Sequence, residues 1–458
     1  MFVSAWGRLT QGEHAIAKES SVTVCNLVKS MSTTIKSDIS LEGVNRAQLV
    51  AHRCRFCQVQ LRHTFVDLGM SPLCESLITE DQLNMMEPFY PLHVFICGEC
   101  FLVQLLEYVK PHEIYGEYAY FSSYSDSWLE HARRYVEMIS ARFNLSTKSQ
   151  VVELASNDGY LLRNFVARGI PALGVEPAAN VAAVAVQRGI PTVVEFFGVA
   201  TAQLLVADGK SADLIIGNNV LAHVPDLNDF VGGIRILLKP AGVATMEFPH
   251  VLRLIEGNQY DTIYHEHFSY LSLLTVKRIF AAHGMRIFDV EELGTHGGSL
   301  RIYVCHQESQ DQPAGARVTQ LLTREEKEGV NRLDYYQGFG EKVKAIKRDL
   351  LEFLLQAKRQ GKQIVGYGAP GKGNTLLNYC GIRTDFLNYT VDRNPYKHGK
   401  YTAGTHIPIF PPEKIQETKP DYVLILPWNL REEIVSQLSY IRQWEGKCVV
   451  PIPDVEVL

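Results

Sequence analysis

The chain has 458 residues, too many for one hydrophobic core, which on ordinary domain sizes argues for two or three. Its 46% hydrophobic and 21% charged residues are usual for a globular protein, and 50 acidic against 45 basic residues, a net charge of -5, withhold the basic field that nucleic-acid binding needs. No run approaches the roughly 20 apolar residues of a membrane span and the N-terminus lacks a signal pattern, so the reading is a cytoplasmic protein with a small-molecule partner, no membrane and no nucleic acid.

Residues 1–45 mix Ser, Thr, Lys and Glu without periodicity and read as a flexible leader. A compact module is expected over 46–110. The chain has nine cysteines, an odd number, and four of them form two C-x-x-C pairs, Cys54 with Cys57 and Cys97 with Cys100. Each pair can grip a metal from a tight turn, and four thiolates close a tetrahedral shell with no open position. That is a structural Zn2+ site rather than a catalytic one.

A helical stretch around Ser127–Phe143 precedes apolar runs at 150–155, 172–177, 192–197, 213–219 and 242–248, which alternate with amphipathic segments. This pattern predicts a doubly wound parallel sheet over 111–310, closed by an antiparallel pair starting near Arg286 and Ser299. The first strand runs through Glu153 and Ala155 into Asn157, Asp158 and Gly159, and Glu176 ends the second. In this topology ligands bind at the carboxyl ends of strands, and a carboxylate there can accept both hydrogens of a ribose diol. S-adenosylmethionine has no phosphate to cradle, so a turn without the full G-x-G-x-x-G spacing favours methyl transfer over dehydrogenation. Asn218, Asn219 and His223 follow the fourth strand. After the fifth comes the densest polar-aromatic cluster in the chain, Tyr264-His265-Glu266-His267-Phe268, whose spacing is not that of a zinc protease. Four tyrosines, Tyr115, Tyr118, Tyr120 and Tyr124, either cover this site or pack between domains.

Charged helix formers predict a helical bridge over 311–344, and a second Rossmann-like domain is expected over 345–458. Its Gly366-x-Gly368-x-x-Gly371 follows an apolar strand, with Asp392 ending the next. Gly373 stands where a P-loop needs Ser or Thr, which disfavours ATP hydrolysis. A glycine-rich turn with Lys372 at a helix start can still bind a diphosphate.

Together the paired C-x-x-C, ELASNDGYLL, YHEHFSY and GYGAPGKGNTLLNY resemble the sugar C-methyltransferases of deoxysugar pathways over about residues 50–458. The resemblance implies an α/β protein: a small zinc-binding module, a central Rossmann-like class I methyltransferase domain and a C-terminal Rossmann-like domain. It implies that Cys54, Cys57, Cys97 and Cys100 hold zinc, and that Glu153, Ala155, Asn157, Asp158, Gly159, Glu176 and Asn218 bind S-adenosylmethionine. The substrate it implies is a keto-deoxysugar linked to dTDP, GDP or CDP, methylated beside its ketone. His267 is then the base, Tyr264 the enolate stabiliser, Glu266 the residue that positions the sugar, and His223 an assistant near the reacting carbon. Tyr118 closes the pocket, and Gly371, Lys372, Gly373 and Asn374 face the nucleotide-sugar. Two rivals remain, a zinc-containing RNA methyltransferase, opposed by the acidic balance, and a non-catalytic scaffold, opposed by the Tyr-His-Glu-His cluster.

Overall fold

Short apolar runs near the cysteines form β1 (His63–Ser71), β2 (Tyr90–Ile96) and β3 (Val103–Leu105), successive antiparallel neighbours. The computed structural model describes residues 52–115, 122–124 and 126–458. The expected leader, Tyr118 and Tyr120 lie outside the described residues, as do the side chains of Tyr115 and Tyr124.

The alternating region yields β4 (Val151–Leu154), β5 (Ala172–Val175), β6 (Thr192–Val193), β7 (Ala212–Asn218), β8 (Leu238–Pro249), a two-residue β9 (Ser269–Tyr270), β10 (Met285–Leu293) and β11 (Ser299–His306). All but β9 join one sheet in the order β10-β11-β8-β7-β4-β5-β6. Strands β4 to β8 run parallel, and β11 is antiparallel to both neighbours. This is the doubly wound sheet with its closing pair. Every residue of β4 and β5 is buried, as expected of parallel strands covered on both faces. The helix Asp126–Arg142 covers one face through Ala132, Tyr135, Val136 and Ile139. The run at 192–197 is shorter as a strand than its apolar content suggested. As the edge strand, β6 pairs only with β5 and its pairing stops at Val193; Val194 and Phe196 beyond it are exposed.

Strand β9 does not join that sheet. It pairs with β3 through Val103–Tyr270 and Gln104–Ser269, completing the N-terminal sheet in the order β1-β2-β3-β9. The segment just before β9 carries Tyr264 to His267, so a residue pair from the middle of the chain locks that segment onto the cysteine module.

The helices Ala316–Glu328 and Phe339–Arg359 follow, the second burying Phe339, Val343, Ile346, Leu350, Leu354 and Ala357 at helical spacing; the expected boundary between residues 344 and 345 falls inside it. Phe339 stacks on Phe65 of β1 with centroids 4.6 Å apart. The last sheet comprises β12 (Ile364–Tyr367), β13 (Thr390–Val391), β14 (Ile409–Phe410), β15 (Tyr422–Ile425), β16 (Lys447–Val450) and β17 (Glu456–Val457), ordered β14-β13-β12-β15-β16-β17. Its strands are parallel except β17. One hydrophobic core joins the N-terminal sheet, the 251–274 segment and this C-terminal sheet.

Candidate functional site

The two C-x-x-C turns face one another. Their Sγ atoms all lie within 4.8 Å of one another, with Cys54 and Cys100, and Cys57 and Cys97, 3.5 Å apart. Each turn closes on a left-handed residue after its second or paired cysteine, Gln58 at φ 63° and Phe101 at φ 62°, whose N–H groups donate to the carbonyls of Cys54 and Cys97. Four soft donors at this separation fit a tetrahedral zinc and leave it no vacant position. Arg55, between the first two cysteines, reaches out of the turn. Its guanidinium donates to the carbonyls of Pro225 (2.7 Å) and Leu105 and lies 5.2 Å from the centroid of the Phe268 ring. The knuckle therefore grips the chain just after His223 and just after His267.

At the carboxyl end of β4, Ala155, Asn157 and Gly159 all have left-handed backbone, with φ of 55°, 51° and 75°. Only the third is glycine, and a Cβ there would sit 2.3 Å from Ile190 Cδ1. The Asn157 N–H donates to Glu176 at 2.8 Å, and the Ala178 N–H donates to its other oxygen at 2.9 Å. Burial pushes the Glu176 carboxyl up. Burial, then the charges of Glu176 and Asp158, push Glu153 far up. Glu153 Oε2, Asp158 Oδ1 and both amide atoms of Asn218 are buried without a hydrogen-bond partner among the described residues. A tight left-handed turn beside orphaned polar atoms at the ends of β4 and β7 fits a polar ligand such as S-adenosylmethionine.

The histidines lie on the segments that follow β7 and precede β9. The Nδ1–H of His267 donates to the Thr262 carbonyl at 2.8 Å; a carbonyl only accepts, so Nε2 carries the lone pair. The rings of His267 and Tyr264 are 3.9 Å apart, and His223 meets His267 edge-on at 4.7 Å. The Phe268 N–H donates to the Ala222 carbonyl at 2.8 Å, fastening the two histidine segments together. Burial, then the charge of His223, holds His267 well below the usual imidazole range. Burial, then His296, brings His223 down to about 4. Glu266 is buried and accepts from Cys74 Sγ at 3.5 Å.

The third module closes the same region. The helix Gly371–Cys380 begins after the glycine-rich turn, and Thr375 donates to the Ile263 carbonyl at 3.0 Å. A Cβ on Gly371 would lie 2.8 Å from Cys74 Sγ, so the turn abuts the cysteine module as well. Lys372 donates to Asn429 at 2.8 Å, and Asn374 is buried with neither amide atom partnered. The structure thus brings together His223, Tyr264, Glu266, His267 and the Gly371–Asn374 turn, while no side-chain contact among the described residues joins Asn218 to them.

Several residues here carried no assignment from the sequence. His296, left-handed at φ 53°, sits in the turn Thr295–Gly297 with its Nε2 3.3 Å from Asn219 Nδ2. Thr295 donates to Glu247 at 3.0 Å, and Glu247 in turn accepts from Arg301 at 2.9 Å. A histidine followed by two glycines was the one signal available. Arg55, Cys74, Asp261 and Trp428 gave none, since their roles depend on contacts across modules.

Three family models match consecutive parts of the chain: a zinc binding domain at residues 54–115, a methyltransferase domain at 128–290 and a C-methyltransferase C-terminal domain at 294–453. A curated relative, C-methyltransferase NovU of Streptomyces niveus, is 33% identical over 405 residues, 88% of this chain and 96% of its own. The chain belongs to the sugar C-methyltransferase family. This C-methyltransferase uses S-adenosylmethionine and carries a zinc-binding domain. Among solved structures, the PH0226 protein of Pyrococcus horikoshii OT3 covers 43% of the chain and 97% of itself at 15% identity and TM-score 0.35. Magnesium protoporphyrin IX methyltransferase (ChlM) of Synechocystis PCC 6803 with bound SAH covers 43% and 91% at 15% identity and TM-score 0.32. The fold assignment rests on strand order and the family models. Among the described residues no helix is long and apolar enough to cross a membrane.

Proposed function

We propose that this C-methyltransferase deprotonates a nucleotide-linked 4-keto-deoxysugar at C-3 and methylates the resulting enolate. S-adenosylmethionine, when bound, supplies an electrophilic methyl group and leaves as S-adenosylhomocysteine. Glu153, Ala155, Asn157, Asp158, Gly159, Glu176 and Asn218 hold it in this reading. The observation that carries the proposal is the orientation of His267. With Nδ1–H committed to the Thr262 carbonyl, Nε2 is a neutral base, and burial keeps it neutral.

Carbon methylation needs a carbanion, and the most accessible one in a sugar lies beside a ketone. His267 takes that proton, and Tyr264, its ring tilted against it at 3.9 Å, donates to the enolate oxygen. His223 braces the base edge-on and assists near the reacting carbon. Glu266 positions a sugar hydroxyl, and Gly371, Lys372, Gly373 and Asn374 face the nucleotide-sugar.

The test is transfer of a labelled methyl group from S-adenosylmethionine to dTDP-, GDP- and CDP-4-keto-6-deoxyhexoses, with the labelled carbon located by NMR. Label at C-3 of one of them is expected. No label in any of the three would refute the substrate class, and label on another carbon would refute the position.

A further inference from the structure

Lys372 is a part-buried lysine that forms no ion pair among the described residues; desolvation lowers its pKa and the charge of Asp261 opposes that, favouring the ammonium. Its Nζ donates to Asn429 Oδ1 at 2.8 Å and stands 4.6 Å from the centroid of the Trp428 ring. Trp428 is fixed in turn: its indole N–H donates to Asp261 at 2.7 Å, and a Cβ on Gly297 would meet its ring at 2.7 Å. The tryptophan therefore sits between Lys372 and the turn that carries His296. The Lys372 charge acts on both His267 and His296. Asn374, 4% exposed and on the same first helical turn, has no partner for either amide atom among the described residues. An ammonium with two free donors and an open amide beside it awaits an anion that the protein does not supply.

That anion could be the diphosphate or the enolate, and the surroundings favour the enolate. Asp261 is close enough to act on Lys372 and has one oxygen unpartnered, and the buried Glu266 lies on the adjoining segment. A doubly charged group in this pocket would be repelled by both, whereas one developing charge matches one ammonium. The chemistry points the same way. Burial weakens His267 as a base, so proton transfer succeeds only if the product anion is strongly held. The Tyr264 phenol is a neutral donor that burial makes less acidic, and a charge-assisted donor is about twice as strong as a neutral one.

We propose that Lys372 is a catalytic residue whose ammonium binds the ketone oxygen of the substrate and stabilises the enolate beside His267. This rests on the keto-sugar reading above. The C–H bond next to the ketone breaks, its proton goes to Nε2 of His267, and the electron pair passes through the new C=C bond to oxygen beside Nζ. The pair then returns to form the C–C bond to the methyl group as the S–CH3 bond breaks and S-adenosylhomocysteine leaves. Lys372 keeps its proton throughout.

The experiment uses the zinc-loaded enzyme with S-adenosylhomocysteine bound and follows exchange of the substrate proton beside the ketone into D2O, using whichever 4-keto-6-deoxyhexose the wild type methylates. Turnover and calorimetric affinity for the corresponding nucleoside diphosphate are measured alongside. Lys372→Met should lower exchange and kcat together by about 10²- to 10³-fold, the loss typical of an oxyanion donor, and leave diphosphate affinity unchanged. Should methionine prevent folding, Lys372→Gln keeps length and hydrogen bonding without charge and should show the same loss. Wild-type exchange in a folded variant overturns the assignment, as does a variant that loses diphosphate affinity while keeping kcat. Wild-type enzyme that neither exchanges nor methylates any of the substrates overturns the keto-sugar reading and this role with it.

Discussion

The zinc knuckle and the methyl-transfer pocket are both buried and polar, yet they handle their polar atoms in opposite ways. In the knuckle most of the atoms are committed to the protein: four thiols face one another, Gln104 donates to Cys54 at 3.2 Å, and Arg55 binds two carbonyls, with only its Nε left without a partner among the described residues. In the pocket Glu153, Asp158, Asn218, Asp261 and Asn374 keep atoms without partners. An unmet buried polar group costs about 1–3 kcal/mol, so such a concentration is tolerable where ligands come and go and complete the hydrogen bonds. The contrast separates a four-thiol shell that suits a structural metal from polar groups left open to a ligand.

The contrast would break first at the knuckle. Cys97→Ser removes one ligand from a class of site whose binding free energy runs to about 10–16 kcal/mol. Elemental analysis should show zinc lost, and kcat should vanish with it because Arg55 no longer holds the His223 and His267 segments. A zinc-free variant with normal turnover would show that the knuckle is dispensable for the pocket. Next is the proposed base: His267→Asn should cut kcat by about 10²- to 10⁴-fold while calorimetry shows unchanged S-adenosylmethionine binding. Near-normal turnover would move the base to His223 or Tyr264.

A smaller effect is expected at the turn after β4. Gly159→Ala places a Cβ against Ile190 at φ +75° and should cost on the order of 1–3 kcal/mol, seen as a lower Tm and a weaker Kd for S-adenosylmethionine. Unchanged values would mean that the turn shifts freely. The subtlest effect is the acid limb of the kcat profile. The base acts only when neutral, and burial depresses His267 below the ordinary imidazole value, so activity should persist through pH 6 and fail only at more acidic pH. A limb at or above pH 6.5 would show a base more exposed than this pocket provides.

Much of this was legible in the sequence because it is local. Cys-x-x-Cys spacing, the apolar strand runs and the ELASNDG turn are short patterns whose physical demands sit within a few residues. Ala155 and Asn157 took glycine-like positions, and the structure gives them the left-handed backbone that glycine favours. The short β6 was harder to foresee, because the sequence records its apolar content and not its edge position. What the sequence concealed is relational. Arg55 looks like any surface arginine until Phe268 and Pro225 arrive beneath it, and nothing in the sequence signals the Asn429 and Trp428 contacts that hold Lys372. His296 depends on a turn held by Glu247 from a distant strand and by Trp428 from the 3-10 turn Trp428–Leu430, which no periodicity announces.

The two residues of β9 have a practical consequence. Since Ser269 and Tyr270 are stitched into a sheet otherwise made of residues 63–105, the three parts are not interchangeable cassettes. A chimera that borrows another enzyme's cysteine module must import a matching 264–270 stretch, or the graft will misalign the very histidines it was meant to support.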